Sequence, residues 1–160
     1  MQLSPKTSSS TAITMSQIVL PYHANVAGNM HGGEVMKLMD SAAGAVAARH
    51  CLSNVVTASV TQLSFIEPIF VGDLVICNAQ LIYTGKTSME VCVKSFVEEL
   101  NSEKKLINIA YVVMVALDEF ERPVEVPGLV IETEEERCDW EMGRKRYLAR
   151  KERKNDPSCT

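Results

Sequence analysis

The sequence contains no apolar run close to the roughly 18 residues that a membrane-spanning helix requires. Its first residues, MQLSPKTSSSTA, lack the basic and then apolar order of a secretory signal, and we expect residues 1–11 to form a disordered tail. Internal repeats and metal-binding motifs are also missing. We therefore expect a protein with no membrane partner and no bound metal.

The sequence has few cysteines, and no two of them are close together in the chain. The five are odd in number and show no close pairs of the kind that hold zinc, so neither a disulfide framework nor a zinc site is predicted. This usage is typical of the reducing cytoplasm, which we take as the location. Cys77 and Cys92 fall in apolar runs and are interpreted as core residues rather than nucleophiles.

Strong charge of either sign is lacking as well. The net charge of −4 gives no general attraction to nucleic acid or to an anionic membrane, and we expect no nucleic-acid partner. The length of 160 residues with 46% hydrophobic residues is ordinary for one globular domain. We assign that domain to residues 12–131 and a C-terminal helix and tail to residues 132–160.

Hydrophobic spacing predicts one long helix among five strands. Apolar residues recur at three- and four-residue intervals from Val35 to Ala47, which predicts a helix beginning at Gly32. Runs rich in β-branched residues predict strands over 13–20, 54–66, 74–84, 88–98 and 106–117, with a polar turn over 101–105. A second helix is predicted over 133–154, with a threonine cap and acidic first turn. The fold class is α+β, an antiparallel sheet curled over the long helix.

Asp40 is the unusual residue of the long helix. It lies one turn from Met36, Ala43 and Gly44, so an acid that is normally exposed shares a side with residues that are normally buried. One interpretation is a residue at the edge of the apolar stripe that reaches water or a local donor. The other is a functional carboxylate beside a tunnel, for which the small residues around Ala43 would leave room.

The loop before this helix has two interpretations too. Gly28, Asn25 and Asn29 suit a simple turn. Gly32 and Gly33 then open the helix, and their free backbone N–H groups could either provide mere flexibility or stabilise a carbonyl oxygen that gains negative charge. The basic residues near the C-terminus form either a solvated face or a phosphate-binding surface, and the solvated face is favoured: Arg144, Lys145, Arg146, Arg150, Lys151, Arg153 and Lys154.

Several segments together resemble one family. Residues 24–33 (ANVAGNMHGG) resemble the first-domain signature of the eukaryotic two-domain cytosolic acyl-CoA hydrolases, and residues 35–50 (VMKLMDSAAGAVAARH) resemble the second-domain signature. The likeness continues through residues 57–60 (TASV), 85–90 (GKTSME) and the segment from Glu132 to Leu148. It covers nearly the whole chain after the first dozen residues.

The resemblance implies the hotdog fold, an antiparallel sheet wrapped around a long central helix, here with an additional C-terminal helix. It also implies a homo-oligomer, a hexamer built as a trimer of hotdog dimers. The catalytic asparagine and aspartate of the two-domain relatives correspond to Asn25 and Asp40. Because one chain carries both, we expect a homodimer to hold two sites, each built across the interface.

The implied activity is hydrolysis of acyl-CoA to a fatty acid and CoA. Gly32 and Gly33 would polarise the thioester carbonyl, Asp40 would activate water or attack directly, and Asn25 would orient the water or the carbonyl. The resemblance gives no cofactor other than CoA as part of substrate and product. It further implies a CoA-binding role for His31 and for the turn residues Gly85, Lys86, Thr87 and Ser88, all of which also suit plain turns.

Two alternatives remain at this stage. A non-catalytic acyl-CoA binder or regulator could share the fold, because fold does not decide function. A dehydratase on the same fold would need a histidine beside the acid, and His31 is the candidate.

Overall fold

The computed structural model describes residues 4–99 and 103–155. The predicted disordered tail is wrong for residues 6–11, which form strand β1 (Lys6–Thr7) and helix α1 (Ser8–Thr11). The Ser8 hydroxyl donates to the Leu81 carbonyl at 2.6 Å, and the Lys6 ammonium donates to the Arg49 carbonyl at 2.6 Å. These bonds fix the segment against the domain, which sequence patterning cannot show. Residues 1–3 lie outside the described residues.

The predicted antiparallel sheet is confirmed. Its strands, in spatial order, are β2 (Ile13–Ile18), β4 (Leu74–Thr84), β5 (Ser88–Glu98), β6 (Lys105–Leu117) and β3 (Asn54–Thr61). Every neighbouring pair in this sheet is antiparallel. A short strand β7 (Leu129–Val130) pairs in parallel with β1 as a separate ribbon. Consequently β2 and β3 are the two edge strands of the main sheet.

Strand β3 ends five residues earlier than predicted. Gln62 has a φ of 59°, a left-handed conformation that takes the chain out of the sheet despite the apolar residues that follow. Residues 62–66 instead form a loop on the surface, in which Phe65 and Ile66 are exposed. The predicted turn over residues 101–105 lies partly outside the described residues.

Helix α2 (Gly32–Cys51) fills the concave side of the sheet. Ala42, Ala43, Val46 and Ala47 are fully buried, and their small side chains let the helix lie close to strands β4, β5 and β6. A helix enclosed in this way by a curled antiparallel sheet is the hotdog arrangement, as predicted. The run of small residues therefore serves helix–sheet packing.

Helix α3 (Glu134–Asn155) covers the opposite face of the sheet. The predicted threonine cap is present, and it forms a capping box with Glu136. The Glu136 N–H donates to Thr133 Oγ1 at 3.1 Å, and Glu136 Oε2 accepts the Thr133 N–H at 3.3 Å. The prediction of a wholly solvated basic face is wrong in part, because Arg146 and Arg150 turn inward to the buried carboxylate of Glu90.

The cysteines of the described chain are free. Cys77 and Cys92 are buried, as predicted, and burial raises the pKa of the Cys92 thiol to about 11. Such a thiol stays protonated and unreactive at neutral pH. Cys159 lies outside the described residues. Within the part of the chain that the structure describes, no helix is long and apolar enough to cross a membrane.

Candidate active site

Asp40 is the carboxylate at the centre of the candidate site. It lies on α2 and is exposed in the isolated chain, so the prediction that it shares the buried face is wrong. Its Oδ1 accepts a hydrogen bond from Thr57 Oγ1 on β3 at 2.5 Å. Thr57 also contacts Met114 Sδ on β6 at 3.4 Å. Asp40 thus occupies the edge of the helix, where α2 meets the edge strand of the sheet.

A β-bulge accompanies this contact. Thr57 pairs with Met114 and Ser59 pairs with Val113, so Ala58 is an extra residue in β3. Bulges change the direction in which strand side chains point and are common beside active sites. Thr57 does not stand out in the sequence as a site residue, because a threonine in a β-branched run is an ordinary strand former. The signal that finds it is the strand register, which brings its hydroxyl to Asp40.

An apolar cavity of about 440 Å³ opens beside this pair. Helix α2 contributes Gly33, Met36, Lys37, Met39 and Asp40, and the sheet side contributes Thr57, Val60, Leu63 and Val112. The carboxylate and the threonine hydroxyl are therefore polar groups at the wall of a largely apolar space. The small residues around Ala43, beside which a tunnel was expected, do not line this cavity, which lies along the N-terminal half of α2.

The sequence led us to expect free backbone N–H groups at both Gly32 and Gly33 at the start of α2, but the Gly33 N–H has a partner. His31 is the N-cap, and its Nδ1 accepts the Gly33 N–H at 3.1 Å. The Gly32 N–H has no hydrogen-bond partner among the described residues. Gly32 also has little room for a side chain, because a β-carbon there would lie 3.2 Å from the Phe65 ring, a tight contact. Gly32 is therefore the free donor at this helix end.

The ring of His31 has a structural task in this arrangement. By accepting the Gly33 N–H, it satisfies one of the backbone donors that a helix leaves free at its first turn. The residue on which a dehydratase interpretation would depend is thus engaged as a helix cap, and the geometry does not favour that alternative.

Asn25 shapes the loop before α2. Its Oδ1 accepts the Ala27 N–H at 2.9 Å and the Asn29 N–H at 3.3 Å. Its backbone N–H donates to the Asn29 carbonyl at 2.7 Å. The carboxamide oxygen is consequently used within the loop, while its Nδ2 has no hydrogen-bond partner among the described residues.

The same loop is held in place by hydrogen bonds of the buried residue His23, which is 3% exposed. Its Nδ1 accepts the Leu20 N–H at 2.9 Å, and its Nε2 lies 2.7 Å from the side-chain Nε2 of Gln17. The His23 carbonyl accepts the His31 N–H at 2.7 Å. One buried histidine therefore ties β2, the Asn25 loop and the start of α2 together.

Asn25 and Asp40 line different cavities in one chain. Asn25 and Gly32 share a second space of about 350 Å³ with Phe65 and Pro68, whereas Asp40 and Gly33 line the first. In one chain, therefore, the two predicted catalytic residues do not line the same cavity. The cavity with Asn25 and Gly32 and the cavity with Asp40 and Gly33 are separate spaces near the start of α2.

The turn between β4 and β5 lies apart from both cavities. The Gly85 N–H donates to the Ser88 carbonyl at 2.8 Å, which closes the predicted hairpin. The Lys86 ammonium is exposed and lies 3.3 Å from Glu125 Oε1. Thr87 completes the turn, and Ser88 is the first residue of β5. Neither Lys86 nor its neighbours line the spaces that hold Asp40 and Asn25.

A curled antiparallel sheet around a central helix, with a carboxylate at a cavity beside that helix, defines a protein of the hotdog class. The family model described as the thioesterase superfamily matches residues 27–104. An uncharacterized acyl-CoA thioester hydrolase of Bacillus subtilis is 40% identical over 119 residues, covering 74% of this chain and 69% of the relative. The chain belongs to the acyl-CoA thioester hydrolase family of the thioesterase superfamily.

The mammalian relatives are longer. The cytosolic acyl coenzyme A thioester hydrolase of Rattus norvegicus is 38% identical over 150 residues, which cover 92% of this chain and 39% of the relative. The chain therefore spans about two fifths of the length of the curated mammalian relatives that it matches.

Solved structures agree with the fold. An acyl-CoA hydrolase from Staphylococcus aureus, solved with butyryl coenzyme A and coenzyme A, aligns with a TM-score of 0.85 at 32% identity over 93% of this chain and 92% of that chain. Alanine variants of an asparagine, an aspartate and a threonine of that enzyme have also been solved. An apo-hexameric acyl-CoA thioesterase aligns with a TM-score of 0.88 at 33% identity over 94% and 97% of the two chains.

Proposed function

We propose that this chain is an acyl-CoA thioester hydrolase whose active site forms between two protomers. Asp40 and Thr57 of one protomer supply the water-activating half, and Asn25 and Gly32 of its partner supply the half that binds the carbonyl oxygen. The observation that carries the proposal is the Thr57–Asp40 hydrogen bond at the wall of an apolar cavity.

The contact between Thr57 and Asp40 gives the carboxylate a defined orientation. With Oδ1 accepting the threonine hydroxyl, Oδ2 is left to accept a proton from water. The walls of Met36, Met39 and Val112 suit the hydrocarbon of an acyl chain, because burial of apolar surface favours binding there.

The second half-site supplies donors for an oxyanion. The Gly32 N–H and the Asn25 Nδ2 both lack partners among the described residues, and both residues line one cavity. A helix N-terminus adds partial positive charge to the Gly32 donor. These groups would stabilise the negative charge that develops on the thioester oxygen.

The reaction follows from the two halves. The water oxygen attacks the thioester carbon while its proton passes to Asp40, and the carbonyl electrons move onto the oxygen held by Gly32 and Asn25. The oxyanion then collapses, the carbon–sulfur bond breaks, and the thiolate of CoA takes up the proton from Asp40. The products are a fatty acid and CoA, and no cofactor or metal enters the balance.

The assembly follows from the separation of the halves. Strand β3 carries Thr57 and has one edge that pairs with no strand among the described residues. Val56 and Val60 on this strand are exposed at 47% and 37%. An open, apolar edge strand favours pairing with another copy. We propose a homodimer through this edge and a hexamer of three such dimers.

The S. aureus variants support the choice of residues. In that enzyme the substituted aspartate follows the substituted asparagine by 15 positions, and the threonine follows the aspartate by 17. Asn25, Asp40 and Thr57 have the same two spacings. We infer equivalent roles for the three residues here.

CoA is proposed to approach the turn at Gly85, Lys86, Thr87 and Ser88. Lys86 is exposed and could meet a phosphate through its ammonium group. His31 caps α2 through its Nδ1, and its CoA-binding role stays part of the proposal. We also propose a cytoplasmic location, since the mammalian relatives are named as cytosolic enzymes.

Release of free thiol from acyl-CoA esters of graded chain length tests the function. We expect turnover by the wild-type protein and a loss of about a hundredfold or more in kcat for Asp40→Asn, which keeps size but removes the base. Glu141→Gln, an exposed acid on α3, is the matched control and should match wild type. Binding of acyl-CoA without turnover, or full activity of Asp40→Asn, would contradict the proposal.

A further inference from the structure

Helix α3 packs closely against β4 and against the turn that follows it, and each of these two contacts involves a glycine. A β-carbon at Gly143 of α3 would lie 2.7 Å from the Tyr83 β-carbon, so the absence of a side chain allows the helix to lie on the sheet. A β-carbon at Gly85 in the turn would lie 2.8 Å from Tyr147 Cε2. The ring of Tyr147 therefore occupies the space that any other residue at position 85 would fill.

A buried ionic cluster fixes the position of that ring along the helix. The Glu90 carboxylate is 0% exposed and accepts hydrogen bonds from Arg146 Nε at 2.6 Å and Arg150 Nη1 at 2.7 Å. The Arg146 guanidinium also stacks on Tyr111, 3.8 Å from the ring centre. Because Arg146 and Arg150 both bond to the one buried carboxylate of Glu90 in β5, the part of α3 that carries Tyr147 is held against the sheet.

The other side of the turn is held by backbone bonds. The Val126 N–H donates to the Lys86 carbonyl at 3.0 Å, and the Ala116 N–H donates to the Thr87 carbonyl at 3.0 Å. The turn is thus enclosed by the segment around Val126 on one side and by the Tyr147 ring on the other. A side chain at position 85 would meet Tyr147 first, since Tyr147 Cε2 is the atom nearest to a β-carbon placed there.

We propose that Tyr147 is a positioning residue for the CoA portion of the substrate. Its ring, fixed by the Glu90 cluster, sets the conformation of the turn at residues 85–88. This inference rests on the proposed function, in which that turn meets CoA. The ring acts through the turn and touches neither the thioester nor the groups that react with it, so its effect falls on binding of the CoA portion and not on the chemical step.

The test compares two substrates with the same acyl group, the CoA thioester and the N-acetylcysteamine thioester, which lacks the nucleotide and most of the pantetheine. For Tyr147→Ala we expect KM for acyl-CoA to rise about fivefold with kcat within about twofold, because lost uniform binding raises KM alone. KM for the short thioester should stay unchanged. Tyr147→Phe keeps the ring and should restore the wild-type KM, and the neighbouring exposed Leu148→Ala is the control.

A double-mutant cycle tests the contact itself. Gly85→Ala should raise KM for acyl-CoA in the wild-type background, because its β-carbon collides with the ring. The same change in Tyr147→Ala should add little, since the ring is gone. Tyr147→Leu replaces Tyr147→Ala in both experiments if the alanine variant does not fold.

Three outcomes would overturn the inference: an unchanged KM in Tyr147→Ala, an equal rise for both substrates, or additive effects of the two substitutions. Failure of the proposed function is recognised separately. It would show as a lack of thiol release by the wild-type protein before any variant is measured.

Discussion

Replacing Thr57 by valine removes one hydroxyl and little else. The valine keeps the volume and the β-branched shape that suit β3, so the strand and its bulge should persist. What is lost is the hydrogen bond from Thr57 Oγ1 to Asp40 Oδ1. A hydrogen bond to a charged group contributes about 1.5–3 kcal/mol. If this contact orients Asp40 in the transition state, kcat should fall by about 10- to 150-fold.

The assay is steady-state thiol release from acyl-CoA, with kcat and KM reported separately. Thr57→Ser keeps the hydroxyl and should stay within about fivefold of wild-type kcat. Because Thr57 is exposed in the isolated chain, the urea midpoint should change little in either variant. Wild-type kcat in Thr57→Val, or an equal loss in Thr57→Ser, would refute the orienting role.

Two further predictions concern stability. Gly143→Ala should destabilise the protein by about 1–2 kcal/mol, because crowding of Tyr83 outweighs the gain in helix propensity. Gly44→Ala, whose β-carbon would meet Met114 at an ordinary 3.8 Å, should stabilise it by up to about 1 kcal/mol. The free energy of unfolding in urea, measured for both variants, tests this. Equal changes in Gly143→Ala and Gly44→Ala would contradict the difference in packing. Burial lowers the pKa of His50 below 6.5, so its stabilising contribution is complete above that pH and is lost as the pH falls below it. The urea midpoint should therefore fall from pH 8 to pH 5 by a smaller amount in His50→Asn than in wild type.

The main elements were accessible from the sequence because their patterns are local. The spacing from Val35 to Ala47 predicts α2, and the hairpin at Gly85 predicts the boundary between β4 and β5, both of which the structure confirms. The end of β3 was not accessible. It depends on a left-handed Gln62, whereas the letters that follow it still favour a strand.

The site was only partly accessible for a similar reason. Asp40 stands out in the helix pattern, but its exposure and its partner depend on the register between α2 and β3, and Thr57 reaches it beside a bulge that alternation cannot foresee. The inward turn of Arg146 and Arg150 depends on a glutamate some sixty positions earlier. Such long-range pairings leave no periodic trace in the sequence.

Mixing two inactive variants tests the shared site most directly. Asn25→Ala and Asp40→Asn subunits, carrying different tags so that exchange can be verified, are combined in equal amounts and assayed for thiol release. Random pairing makes about half of the dimers mixed, and each mixed dimer regains one of its two sites, so the account predicts about a quarter of wild-type activity. Verified exchange with no recovered activity would contradict a site built from two protomers.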